Sequence, residues 1–100
     1  MSEQVKKFEF VFSNDDMQRF SVVDEELYVD VHGLSCLKAQ RLLKNAIALL
    51  RGNAVIIYVI HGYNNGIAIK QMLRNTQLSR RDYQTQHVDW NPGMTKLVMP

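Results

Sequence analysis

Cysteine is almost absent from this 100-residue chain: Cys36 stands alone, so no internal disulfide closes and no multi-cysteine zinc site can be assembled. Redox chemistry is thereby set aside. No run of 18 or more apolar residues is present to cross a bilayer, and residues 1–20, MSEQVKKFEFVFSNDDMQRF, lack the continuous apolar block of a secretion signal. The expectation is a soluble, cytoplasmic protein with no membrane partner. Linkers, internal repeats and low-complexity tracts are missing too. Acids are scarce in the middle of the chain: between Glu26 and Asp82 the only carboxylate is Asp30, while eight lysines and arginines fall in the same span.

What is present is polarised. Residues 1–27 hold seven acids and three bases, and residues 28–100 hold nine bases and three acids, so a leader of net −4 precedes a body of net +6. A basic body points to a polyanionic partner, with a solvated surface of incidental charge as the plain alternative. Hydrophobic residues make up 46% of the chain, enough for one modest core, because a domain this short buries only about 60–65% of its unfolded surface.

Hydrophobic periodicity sets the expected elements. Phe8, Phe10 and Phe12 alternate with Glu9 and Val11, SNDDM supplies turn residues, and an apolar run resumes from Phe20 to Val23, so residues 1–26 read as an acidic extension folded into a hairpin. Tyr28, Val29 and Val31 mark the first core strand, which ends at Gly33. Ser35 suits an N-cap; beyond it Ala39, Leu42, Leu43, Ala46, Ile47 and Leu50 share one side of a helix, with Lys38, Arg41, Lys44 and Arg51 opposite and Gly52 and Asn53 as the stop. AVIIYVI (54–60) is continuously apolar and β-branched, the pattern of a central strand covered on both faces. A second helix from about Gly66 to Asn75 buries Ile69, Met72 and Leu73 and turns Lys70 and Arg74 outward. Residues 82–90 and 94–99 pair around the turn residues Asn91, Pro92 and Gly93. The sum is an α/β two-layer sandwich: a βαβαββ core with a mixed sheet and two helices over residues 27–100, plus a β-rich N-terminal extension.

In YVDVHGLSCLKAQRLL (28–43), Asp30 and His32 stand two apart, so they project from one face at the carboxyl end of the first core strand. His61 ends the second core strand in the same way. A strand, helix, strand unit makes these strands parallel with a right-handed crossover, which brings both His-Gly corners to one edge of the sheet. That edge is where open α/β sheets place ligands, and helices starting near Ser35 and Gly66 would turn phosphate-attracting N-termini toward it.

VDVHGLS (29–35) resembles the Leu-Asp-Leu-His-Gly motif of the Smr (small MutS-related) domain family, VIHGYNNG (59–66) resembles its second His-Gly and glycine-rich loop, and NPGMTKLV (91–98) is similar to its closing strand. The matches cover about residues 27–100, in order. The resemblance implies a two-layer α/β sandwich acting on nucleic acid, DNA or RNA, with nicking or RNA-cleaving endonuclease activity in some members. It makes Asp30, His32 and His61 the candidate catalytic residues. Gly33, Lys38, Arg41, Gly62, Tyr63, Asn64, Gly66, Lys70 and Arg74 are the candidate nucleic-acid-binding ones. Where the family's second loop runs His-Gly-Lys-Gly-x-Gly, Tyr63 replaces the lysine and Asn64 the middle glycine, which removes a phosphate contact, and with one residue inserted Lys70 matches the basic residue that the family carries shortly after the loop.

Each of these residues has a structural alternative. Asp30 orients and charge-stabilises His32, coordinates Mg²⁺ together with water and phosphate oxygens, or simply accepts backbone amides at the turn. His32 and His61 act as a general base and general acid pair, or each caps a strand end. Tyr63 stacks on a base or shields its loop, and Cys36 packs in the first helical turn. Two functions from different classes stay open: a nuclease, or a non-catalytic nucleic-acid-binding or adaptor domain whose acidic leader meets a protein partner.

Overall fold

The computed structural model describes residues 5–50, 55–62, 66–79 and 82–99. Its strands are β1 (Phe20–Val23), β2 (Glu26–Asp30), β3 (Val55–Ile60), β4 (Gln84–His87) and β5 (Met94–Met99). Its α-helices are α1 (Asn14–Met17), α2 (Cys36–Leu49) and α3 (Gly66–Asn75), preceded by a 3-10 helix at Lys6–Phe10. The strands form one mixed sheet in the order β1-β2-β3-β5-β4; β2 and β3 run parallel and the other neighbours antiparallel. The chain is an α/β fold, as its alternating periodicities predict.

Ser35 opens α2 in extended conformation and its hydroxyl accepts the Lys38 amide at 3.2 Å, filling one of the donors that a helix start leaves open. Ala39, Leu42, Leu43, Ala46 and Ile47 then recur at three- and four-residue spacing and are buried. Ile69, Met72 and Leu73 do the same for α3. Both helices press on Leu27, Val29, Ile57, Val59, Leu97 and Met99, the inward residues of β2, β3 and β5, in a single core. Each fully buried side chain of this size contributes about 1.5–3 kcal/mol. The expected stop at Gly52 and Asn53 lies outside the described residues.

Two expectations are corrected. Burial along β3 alternates between buried and half-buried, so the strand is covered on one face instead of two. The buried residues of both long helices join the core on the same side of the sheet, and a run as apolar as VIIYVI does not reveal that its second face carries only Ile56, Tyr58 and Ile60. The second correction concerns the leader, where Phe8 to Phe12 is not a strand. Phe8 and Phe12 stand at helical spacing, joined by a Phe12 amide to Phe8 carbonyl bond of 2.9 Å, and both are buried, whereas Phe10, which a strand would bury beside them, is 85% exposed. With Phe20 they form an aromatic cluster with ring centroids 4.9–5.4 Å apart. The hairpin partner of β1 is β2, pairing Phe20 with Val29 across a turn in which Asp24 and Glu25 both take positive φ, as the tight two-residue hairpin turn requires.

Candidate functional site

The parallel β2/β3 ladder continues one step past Asp30 through the Val31 amide, which donates to the Ile60 carbonyl at 2.9 Å. Immediately beyond, the Leu34 amide reaches back to the Val31 carbonyl at 3.1 Å, closing a turn whose third residue, Gly33, has φ +78°. Gly62 makes the equivalent break after β3 at φ +81°. The two corners are in contact: a Cβ added to Gly62 would lie 3.4 Å from the Cβ of His32. The NPG turn completes the edge. The Gly93 carbonyl accepts both the His61 and the Gly62 amides at 2.9 and 3.0 Å, while the Asn91 side chain holds the Gly93 amide at 3.0 Å.

Asp30 meets His32 twice. Its Oδ1 accepts the His32 backbone amide at 3.1 Å, as a turn aspartate does, and also meets Nδ1 of the His32 ring. Assigning the Nδ1 proton to that bond leaves Nε2 as the basic nitrogen, and Nε2 has no hydrogen-bond partner among the described residues. His32 is 65% exposed and Asp30 38%, so the pair faces solvent. From the leader, the Asp30 amide donates to the Arg19 carbonyl at 2.8 Å, and the Arg19 guanidinium donates to the Asp30 carbonyl at 3.1 Å.

His61 is placed differently. It is 3% exposed, its Nδ1 lies 3.0 Å from the Gly62 carbonyl, and its Nε2 lies 3.0 Å from the Thr95 hydroxyl. A carbonyl only accepts, so Nδ1 carries the proton and the Thr95 hydroxyl donates to Nε2: a neutral imidazole with both nitrogens engaged. Burial lowers its pKa from the ordinary 6.5 and the Lys70 ammonium adds to this, against the Gly62 and Met94 backbone groups, which favour the charged form. The two histidines thus share an edge without sharing an exposure. The sequence offers no local signal for Thr95, because its meeting with His61 depends on the β3/β5 register.

The chain matches no protein-family model, no curated protein and no solved structure. Lys38 lies in the first turn of α2 and Arg41 one turn on, both exposed, and Lys70 lies close enough to act on His61. Arg74 is exposed in the last turn of α3, about 12 Å along the helix from Gly66 at 1.5 Å per residue, and lines a separate cleft of about 390 Å³ with Thr76, Asp82 and Tyr83. Tyr63 and Asn64 lie outside the described residues. No cluster of three or more His, Cys, Asp or Glu side chains converges among the described residues. A Mg²⁺ ion at this corner would rest on Oδ2 of Asp30, since Oδ1 is taken by His32. No described helix is long and apolar enough to cross a membrane.

Proposed function

We propose that the chain is a cytoplasmic, Smr-like nucleic-acid-binding domain that engages phosphate at the edge formed by the two His-Gly corners. One observation carries the reading: the sole acid between Glu26 and Asp82 is already bound to an exposed histidine, which leaves the edge to Lys38, Lys70 and the N-terminal amides of α2. Such a corner attracts a polyanion and offers it charge-assisted hydrogen bonds. The test is fluorescence anisotropy with labelled single-stranded and duplex DNA and RNA across a salt series. Affinity is expected to fall with a log–log slope of about −0.7 to −0.9 per phosphate neutralised. Absent binding at low ionic strength, or binding indifferent to salt, would sink the proposal.

Phosphodiester cleavage is the second reading, favoured by the Asp30–His32 pair, in which the carboxylate fixes the ring and leaves Nε2 free to take a proton. The acid and base roles cannot be divided between two histidines here, because both ring nitrogens of His61 are engaged within the fold. A cleaving enzyme would use His32 as the proton acceptor, with Lys70 stabilising the developing phosphorane charge. Incubating the same substrates with and without Mg²⁺ and resolving the products separates cutting from holding. Intact substrate of every class leaves binding as the function.

A further inference from the structure

The antiparallel β1/β2 ladder runs one residue beyond β1, and its last rung is irregular. Register sets Arg19 opposite Asp30, and in such a pair the two residues ordinarily exchange both amide-to-carbonyl bonds. The backbone makes only one of them, from the Asp30 amide to the Arg19 carbonyl at 2.8 Å. The Arg19 amide is spent on the Asp16 carbonyl at 3.0 Å, where it closes the turn that ends α1. Its guanidinium stands in for it, donating to the Asp30 carbonyl at 3.1 Å. Arg19 has no carboxylate partner among the described residues, so this charge-assisted bond is what holds the side chain across the strand end. The leader is anchored on both sides of it: Met17 and Phe20 pack against the core, and Phe20 belongs to the aromatic cluster.

We propose that Arg19 is a positioning residue, which fixes the main chain of Asp30 so that its carboxylate keeps the His32 ring in one tautomer, with Nε2 as the exposed base. The inference rests on the reading of this corner as the working edge and adds to it a residue of the leader. Arg19 holds the Asp30 main chain at its amide and its carbonyl, and one residue on the Ile60 carbonyl holds the Val31 amide at 2.9 Å. Asp30 is left with little more than its side-chain torsions. From that fixed base Oδ1 takes the His32 amide at 3.1 Å and also meets Nδ1. Which ring nitrogen of a histidine carries the proton is decided by the partner of the other. A rung that slips lets the carboxylate swing, and the proton then occupies either nitrogen. With the proton on Nε2 the neutral ring presents a donor there, and a reaction that needs the lone pair loses its acceptor. Arg19 acts without touching a ligand.

Long-range proton–nitrogen NMR spectra of the full chain, recorded at about pH 8.5 where an ordinary imidazole is neutral, read the tautomer of each histidine directly. His32 is expected as a single Nδ1–H form in the wild type, as both tautomers in Arg19→Met, and as the wild-type form again in Arg19→Lys, which restores a charged donor. His61 serves as the control for folding, since the Gly62 carbonyl and Thr95 fix its tautomer independently of Arg19. Should Arg19→Met fail that control, Arg19→Gln, whose shorter side chain cannot reach the carbonyl, makes the same test. If the folded variant keeps the wild-type tautomer, Arg19 serves the fold alone and the proposal is refuted. Anisotropy with labelled single-stranded DNA runs in parallel. The salt slope of Arg19→Met is expected to match the wild type; a slope smaller by about 0.7 would make Arg19 a phosphate ligand and overturn the positioning role. If the wild type binds nothing at low salt while the tautomer follows Arg19, the nucleic-acid reading falls and the positioning of His32 stands.

Discussion

Replacing Thr95 with valine removes one hydroxyl from inside the sheet and little else. Thr95 is 2% exposed, stands opposite Val59 in the β3/β5 ladder, and reaches His61 Nε2 at 3.0 Å. Valine keeps the β-branched outline, so no cavity opens and the strand pairing is retained. What is lost is the donor to a buried imidazole nitrogen. A buried acceptor left without its partner costs about 1–3 kcal/mol. In a domain of this size each kcal/mol moves the melting temperature by about 4–8 °C, so Thr95→Val is expected to melt about 4–24 °C below the wild type. Thr95→Ser keeps the hydroxyl and should recover most of that loss. Thermal melts followed by circular dichroism at pH 7.5 measure the effect, and anisotropy well below the transition should find nucleic-acid affinity unchanged. If Thr95→Val melts with the wild type yet fails to bind, the reasoning is refuted, because His61 Nε2 would then be serving a ligand instead of the fold.

Acid should destabilise the protein through the same residue: His61 has a lowered pKa when folded and its ordinary 6.5 when unfolded, so the unfolded chain takes the proton first. Stability is therefore full above pH 6.5 and is lost as pH falls through it toward the folded value, at up to about 1.4 kcal/mol per unit for one proton; urea titrations of wild type and His61→Gln between pH 7.5 and 5 should differ by that slope. Asp30→Asn keeps an acceptor for the His32 amide, so it should stay within about 1 kcal/mol of wild-type stability and still bind, while any cleavage drops at least about 100-fold; undiminished cutting would remove Asp30 from the chemistry. Gly33→Ala and Gly62→Ala should each lose about 1–2 kcal/mol, because both glycines have positive φ, but only Gly62→Ala sets a methyl against His32 and should alter binding, as parallel melts and anisotropy would show. Phe8→Ala should cost about 3–5 kcal/mol in denaturant unfolding and Phe10→Ala close to nothing, since only Phe8 lies in the core.

The parts legible in the sequence are those dictated by local periodicity and caps. Ser35 and the apolar stripe behind it place α2 within a residue of its observed ends, and the β-branched run before His61 does the same for β3. The meeting of the His-Gly corners follows from the handedness of one crossover. What escaped depends on contacts distant in the chain. FEFVF has the same alternation whether it forms a strand or a helical turn, and only packing against Phe20 distinguishes them. VIIYVI is equally apolar on its covered and uncovered faces. The difference between His32 and His61, two histidines each followed by glycine, arises from Thr95 and from the Gly93 carbonyl, both brought in by the last strand.

The strand order also fixes a sequence of assembly. The β1–β2 seam is a hairpin between chain neighbours, as is the β4–β5 seam, and such ribbons form within about 1–10 μs. β3 belongs to neither. It must pair Leu27 with Ile57 on one side and Val55 with Met99 on the other, closing long loops on both. Folding is accordingly the docking of two ready-made ribbons onto a single strand between them, and the entropy of those closures sets the rate. Truncating Ile57 or Val59 should slow folding, while changes in the hairpin turns should chiefly speed unfolding. The amides of β3 should be the last in the molecule to exchange with solvent.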